Sequence, residues 1–235
     1  MNFFFVLLAS VVSANSEDYR KGGLDWQGDC TTGQKQSPIN LTSGTTNDKI
    51  NAKLGTFGSV IVPATKSKYN DIFTGFNNFI PDFYWQVNLS PEVATWANTA
   101  TFEVTGSTGV TETYPIVEMF RIHSPSEHTV DGKHMDAELR MEWHKDNCAS
   151  VKECPKAALA VFFDQSAGKQ DNPFLTTLFE AFDDRLKADE EVGKKIVDLN
   201  KLVTELDFSK MWLYSEGSTT TPPCDEILEV YAIPN

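Results

Sequence analysis

Short apolar runs set between Gly, Asn, Pro and Ser dominate the middle of this chain. Residues 60–62, 83–87, 100–104 and 116–122 are rich in Val, Ile, Phe, Tyr and Thr, the residue types that suit a pleated, half-buried strand. Residues 137–144 and 157–163 continue the series, and 211–214 and 227–233 read as further strands. One segment has a different period. Leu175, Leu178, Phe179 and Phe182 recur at helical spacing within 173–192. Asn172 stands as its cap, Pro173 occupies the first helical position and Gly193 is its stop. Residues 199–206 read as a second, short helix. Many strands with few helices predict one mainly β domain with peripheral helices.

The two ends of the chain add to this picture. Residues 1–14 read as a signal peptide: the apolar run 3–12 is too short to span a bilayer, and Val12-Ser13-Ala14 suits cleavage before Asn15. No other apolar stretch approaches membrane-spanning length, so no transmembrane segment is expected. Residues 15–50 are polar and turn-rich, as an N-terminal arm would be. The remaining 15–235 form a single domain by length and show no repeat or linker. The formal net charge is −13 and there is no Lys/Arg cluster, which argues against a nucleic-acid partner.

Export makes disulfides available to the four cysteines, Cys30, Cys148, Cys154 and Cys224. Four cysteines allow three connectivities. Cys148 and Cys154 are six apart in a polar loop and could close a small ring, which would leave Cys30 and Cys224 to close a very long one. Asn40-Leu41-Thr42 and Asn88-Leu89-Ser90 are glycosylation acceptor patterns, with Pro91 disfavouring the second.

All four histidines, His123, His128, His134 and His144, lie in residues 118–144. A histidine-only catalytic zinc needs three imidazoles aimed at one ion. A strand supplies two of them at an i, i+2 spacing, and no His-x-His occurs here. Spacing alone therefore favours one buried, hydrogen-bonded histidine and several surface ones.

Three motifs add a resemblance. Gln36-Ser37-Pro38-Ile39-Asn40 comes first. Ser126-Glu127-His128-Thr129-Val130-Asp131-Gly132-Lys133 follows, then Ala137-Glu138-Leu139. Gly217-Ser218-Thr219-Thr220-Thr221-Pro222-Pro223-Cys224 comes last. In this order, from about Tyr19 to the end, the chain resembles the α-carbonic anhydrases. The resemblance implies a mostly antiparallel, twisted central sheet within a mainly β (α+β) fold. It also implies a Cys30–Cys224 disulfide, as in secreted members. The chain stops at Asn235, shortly after Cys224, where the family continues. The domain thus reads as short at its C-terminus: either the sequence is part of a longer chain or the sheet has lost an edge, and an uncovered edge is a pairing site for another chain.

The resemblance implies a zinc held at the positions of Arg121, His123 and Arg140, and only His123 is a histidine. A guanidinium stays protonated and offers no lone pair to a metal. Met119 stands where the family has a Gln that supports the first ligand. Glu138 matches the carboxylate behind another ligand, and Glu127 and Thr220 match the pair that orients a zinc-bound hydroxide. Glu142, Ala158, Thr219 and Val230 match the positions of the family's carbon dioxide pocket, and a carboxylate there is the sharpest departure. Arg140 and Glu142 share a strand face, so the expectation is a salt-bridge network of Arg121, Arg140, Glu142 and Glu138 in place of the metal. The leading functional expectation is a secreted, non-catalytic carbonic-anhydrase-like domain, with no cofactor, acting in binding or assembly with an unidentified protein partner. A divergent carbonic anhydrase with a rebuilt zinc site and a small-anion-binding module using Arg121 and Arg140 are the alternatives.

Overall fold

The computed structural model describes residues 26–42, 51–62, 83–88, 99–146, 148, 154–165, 172–178, 180, 195–204 and 206–233. The segment read as a signal peptide, the second glycosylation pattern beyond Asn88 and the later part of the predicted helix 173–192 lie outside these residues. The strands in chain order are β1 (Asn40–Leu41), β2 (Asn51–Leu54), β3 (Ser59–Val62), β4 (Phe83–Asn88), β5 (Phe102–Thr105), β6 (Thr111–Tyr114) and β7 (Ile116–Ser124). After them come β8 (Thr129–Val130), β9 (Lys133–His134), β10 (Ala137–His144), β11 (Lys156–Phe163), β12 (Lys195–Asp198), β13 (Trp212–Gly217) and β14 (Leu228–Ile233). The described helices are short: α1 (Asp29–Thr32), α2 (residues 173–178) and α3 (Asn200–Val203), with a 3-10 turn at Phe208–Lys210.

The central sheet runs β13-β14-β11-β10-β7-β4. Every neighbouring pair is antiparallel except β11 and β14, which are parallel. A parallel pair needs a long crossover, and the chain between Phe163 and Leu228 provides it. This is the mainly β, mostly antiparallel architecture expected, with helices at the periphery. Six predicted strands gain a residue or more at an end, as in β13, which runs to Gly217 rather than Tyr214. The second predicted helix is shorter, Asn200–Val203. There Asn200 is drawn away to the backbone of Phe57, accepting from its N–H and donating to its carbonyl.

β10 is buried on both faces along Ala137–Trp143. Its alternation separates two environments. Leu139, Met141 and Trp143 join Phe120, Ile122, Leu159, Val161 and Tyr231 in the main hydrophobic core. The Trp143 indole N–H donates to the Ala100 carbonyl at 2.6 Å, and Phe102 packs on its ring with centroids 5.0 Å apart. Glu138, Arg140 and Glu142 point the other way, and that face carries the charged cluster.

The start of α2 behaves as its sequence predicts. Asn172 Oδ1 accepts from the N–H groups of Phe174 and Leu175, both at 3.0 Å, and so satisfies two donors that the first helical turn leaves open. Phe174 and Leu178 are then buried in the core. Asn172→Ala is expected to cost about 1 kcal/mol in urea unfolding. An unchanged midpoint would show that core packing alone holds this turn.

Candidate functional site

The cluster is built by strand register. β7 and β10 pair His123 with Glu138, Arg121 with Arg140 and Met119 with Glu142. Partners in an antiparallel ladder point to the same side, so these six side chains form one patch. The patch continues onto β11 as Phe162, Ala160 and Ala158, and onto β14 as Ala232 and Val230. β7 carries one extra residue opposite the Glu142–Trp143 step, where the register shifts. That shift frees Glu118, which accepts from Lys156 Nζ at 2.7 Å.

Two arginines meet one carboxylate at the centre. Arg140 Nε lies 3.0 Å from Glu142 Oε1, and Arg121 Nη2 lies 3.9 Å from the same oxygen. Arg140 Nη2 also donates to the Ser218 carbonyl at 3.1 Å, and Arg121 Nη2 to Met119 Sδ at 3.0 Å. Arg140 and Glu142 are 0% exposed and Arg121 is 3% exposed. Burial by itself would raise the Glu142 carboxyl, but Arg140, Arg121 and Lys156 outweigh it and hold the group below the usual carboxylate range. Glu142 is therefore ionised at neutral pH.

His123 sits beside this pair, with Nε2 3.3 Å from Glu127 Oε2. Thr220 Oγ1 donates to the same oxygen at 2.8 Å, joining β7's exit to the loop after β13. Burial pushes the His123 imidazole below its ordinary value. Glu127 and Glu138 oppose that shift, while Arg121 and Arg140 add to it.

Glu138 corrects one expectation. It belongs to no arginine pair: its carboxylate accepts from the His128 backbone N–H at 2.9 Å and from His128 Nδ1 at 2.8 Å. Burial would raise this carboxyl, and the His128 contacts bring it well below its usual range instead. The reason is topological. β8 and β9 are joined by the left-handed Asp131-Gly132 turn, with φ of 49° and 78°, and this hairpin returns the chain so that His128 caps the Glu138 end of β10. His134 and His144 take no part: His134 is exposed with Nδ1 on the Ser126 carbonyl, and His144 Nδ1 meets the Lys145 carbonyl.

The loop that supplies Ser218 and Thr220 is clamped from the N-terminal side. Cys30 and Cys224 form a disulfide, with Cα atoms 5.0 Å apart, and Cys148 and Cys154 form a second. The Ser37 N–H donates to Ser218 Oγ, and the Ser218 N–H donates back to Ser37 Oγ. Gly217 lets the loop come this close. A Cβ there would lie 2.7 Å from Val230 Cγ2 and 2.9 Å from Ser37 Oγ. The Ser218 carbonyl was not legible as an arginine partner, because it lies 78 residues beyond Arg140 and any residue type offers a carbonyl.

Residues 21–232 match the family profile of the eukaryotic-type carbonic anhydrases, and the chain belongs to that family. A carbonic anhydrase from Klebsiella pneumoniae is 29% identical over 84% of this chain. The match spans 64% of that protein's own length. Among solved structures, a halotolerant carbonic anhydrase from Dunaliella salina superposes with a TM-score of 0.61 at 17% identity, covering 94% of this chain and 83% of that one. Dioscorin complexed with ascorbate superposes with a TM-score of 0.58 at 19% identity, covering 92% of this chain and 76% of that one. These structural likenesses concern the fold.

Proposed function

We propose that this chain is a non-catalytic member of the carbonic anhydrase family. In this reading a buried arginine–glutamate ion pair stands where the family resemblance implies zinc, and the domain acts in binding or assembly. The observation that carries it is Arg140 Nε at 3.0 Å from Glu142 Oε1, fully buried, with the Arg121 guanidinium at 3.9 Å. The donor set does not fit the ion. Two of the three implied ligand positions hold guanidinium groups, which have no lone pair and repel a dication. His123 is the one imidazole left, and its Nε2 lies at Glu127. Without a metal there is nothing here to bring the pKa of water toward neutrality. The Glu127–Thr220 hydrogen bond then serves to hold the loop to β7. Glu142 in register with Ala158, itself in register with Val230, puts a charge into the wall that carbon dioxide would need uncharged.

An extracellular or lumenal site of action is part of the proposal. It is supported by the N-terminal leader pattern and by two disulfides, which persist in oxidising compartments. The test is metal analysis of the purified protein together with stopped-flow carbon dioxide hydration. Zinc far below one per chain and hydration at the buffer rate are expected. One zinc per chain with chelator-sensitive hydration overturns the reading in favour of a rebuilt metal site.

A further inference from the structure

Asn40-Leu41-Thr42 has the pattern that accepts an N-linked sugar, and nothing in the charged cluster uses it. β1 sets this pattern on the surface. Leu41 is buried with Ala160, Phe162 and Ala232, while Asn40 and Thr42 on either side of it are exposed.

Hydrogen bonds fix which way the Asn40 amide faces. The Gly132 N–H in the left-handed turn donates to Asn40 Oδ1 at 2.7 Å, and Thr129 Oγ1 donates to the same oxygen at 2.9 Å. A backbone N–H only donates, so the amide atom that it meets must be the oxygen. The amide nitrogen, Nδ2, is therefore on the branch turned away from the hairpin. It has no hydrogen-bond partner among the described residues.

We propose that Asn40 Nδ2 is a site of N-linked glycosylation. This rests on the proposed extracellular or lumenal location. The co-reactant is an oligosaccharide carried on a polyprenyl pyrophosphate lipid. Nδ2 loses one proton to solvent and forms a bond to the anomeric carbon of the first sugar. The bond from that carbon to the lipid pyrophosphate breaks, and the pyrophosphate leaves. The amide keeps its carbonyl oxygen and one N–H. Both hydrogen bonds to Oδ1 survive, so the folded domain carries the sugar without releasing β1 from the hairpin. The other acceptor pattern is less suited, because Pro91 directly follows its serine.

The experiment takes the whole protein from the extracellular or lumenal fraction of the organism that makes it. Treatment with a peptide N-glycosidase is expected to increase its gel mobility, and peptide mass spectrometry to find Asn40 converted to aspartate by that treatment. Thr42→Ala removes the acceptor pattern but keeps Asn40 and both donors to Oδ1, and is expected to lose the mobility shift completely. Thr42→Ser keeps the pattern and is expected to retain the shift. An exported protein with bare Asn40 overturns the site and leaves the extracellular reading standing. Sugar on Asn88 alone also overturns the site, as does a shift that survives Thr42→Ala. A chain found only in the cytosol with residues 1–14 still attached overturns both.

Discussion

Glu142→Ala is expected to lower stability by about 3–5 kcal/mol, because it leaves two buried guanidinium groups without their shared carboxylate. For a domain of this size that corresponds to a fall in Tm of about 10 °C. Both arginines are all but fully buried, so water cannot take over the lost partner. The companion variant replaces the whole cluster, as Arg121→Met with Arg140→Met and Glu142→Leu. It is expected to come within about 1 kcal/mol of wild type or above it, since no charge is then left behind. The contrast separates the cost of an orphaned charge from the worth of the pair. Loss of less than about 1 kcal/mol in Glu142→Ala would mean that water or another acceptor reaches Arg140.

The same carboxylate sets a pH dependence. The Glu142 pKa is lower in the folded protein than in the unfolded chain, so the unfolded state binds more protons as acid is added. Its stabilisation is present in full above the unfolded carboxylate range and is lost as pH falls through the folded value. In Glu142→Gln this part of the acid-side loss disappears, which urea unfolding across pH 3 to 7 (roughly the carboxylate range upward) would read.

Removing the Cys30–Cys224 bond, as Cys30→Ser with Cys224→Ser, is expected to be of similar size. The bond spans a separation of 194 residues, and chain-entropy reasoning assigns a closure of that length about 5 kcal/mol. The Cys148–Cys154 bond spans 6 residues and is assigned about 2 kcal/mol on the same reasoning. Cys224 also has a left-handed backbone, φ 61°, an uncommon conformation for a residue with a side chain. Its loss frees the loop that carries Ser218 and Thr220. Hydrogen exchange of residues 218–224 should therefore speed up in the Cys30/Cys224 variant and stay unchanged in the Cys148/Cys154 variant. Equal stability losses in the two variants would count against the loop-closure account.

Local pattern located the sheet well where a strand is buried on both faces. β10 spans Ala137–His144 as predicted, because Leu139, Met141 and Trp143 alternate cleanly with the polar set. β6, Thr111–Tyr114, and β12, Lys195–Asp198, went unrecognised. Their residues are too polar to announce a strand, and they become strands only against β5 and β3. The Cys30–Cys224 pairing was implied by the family pattern, and spacing left three connectivities open.

The amino-acid order was enough to identify the family, because that conclusion rests on residue type and motif order, and the resemblance implied that Arg121 and Arg140 stand at ligand positions. It could not choose between Glu138 and Glu142 as the arginines' partner. Both lie two residues from Arg140 on one strand face, so strand periodicity treats them alike. The choice came from elements distant in the chain. The Asp131-Gly132 hairpin brings His128 onto Glu138 and occupies both its oxygens, while the disulfide-clamped loop brings the Ser218 carbonyl to Arg140. Side-chain charge is a local property, but which charges meet inside a protein depends on which distant segments exclude water from them.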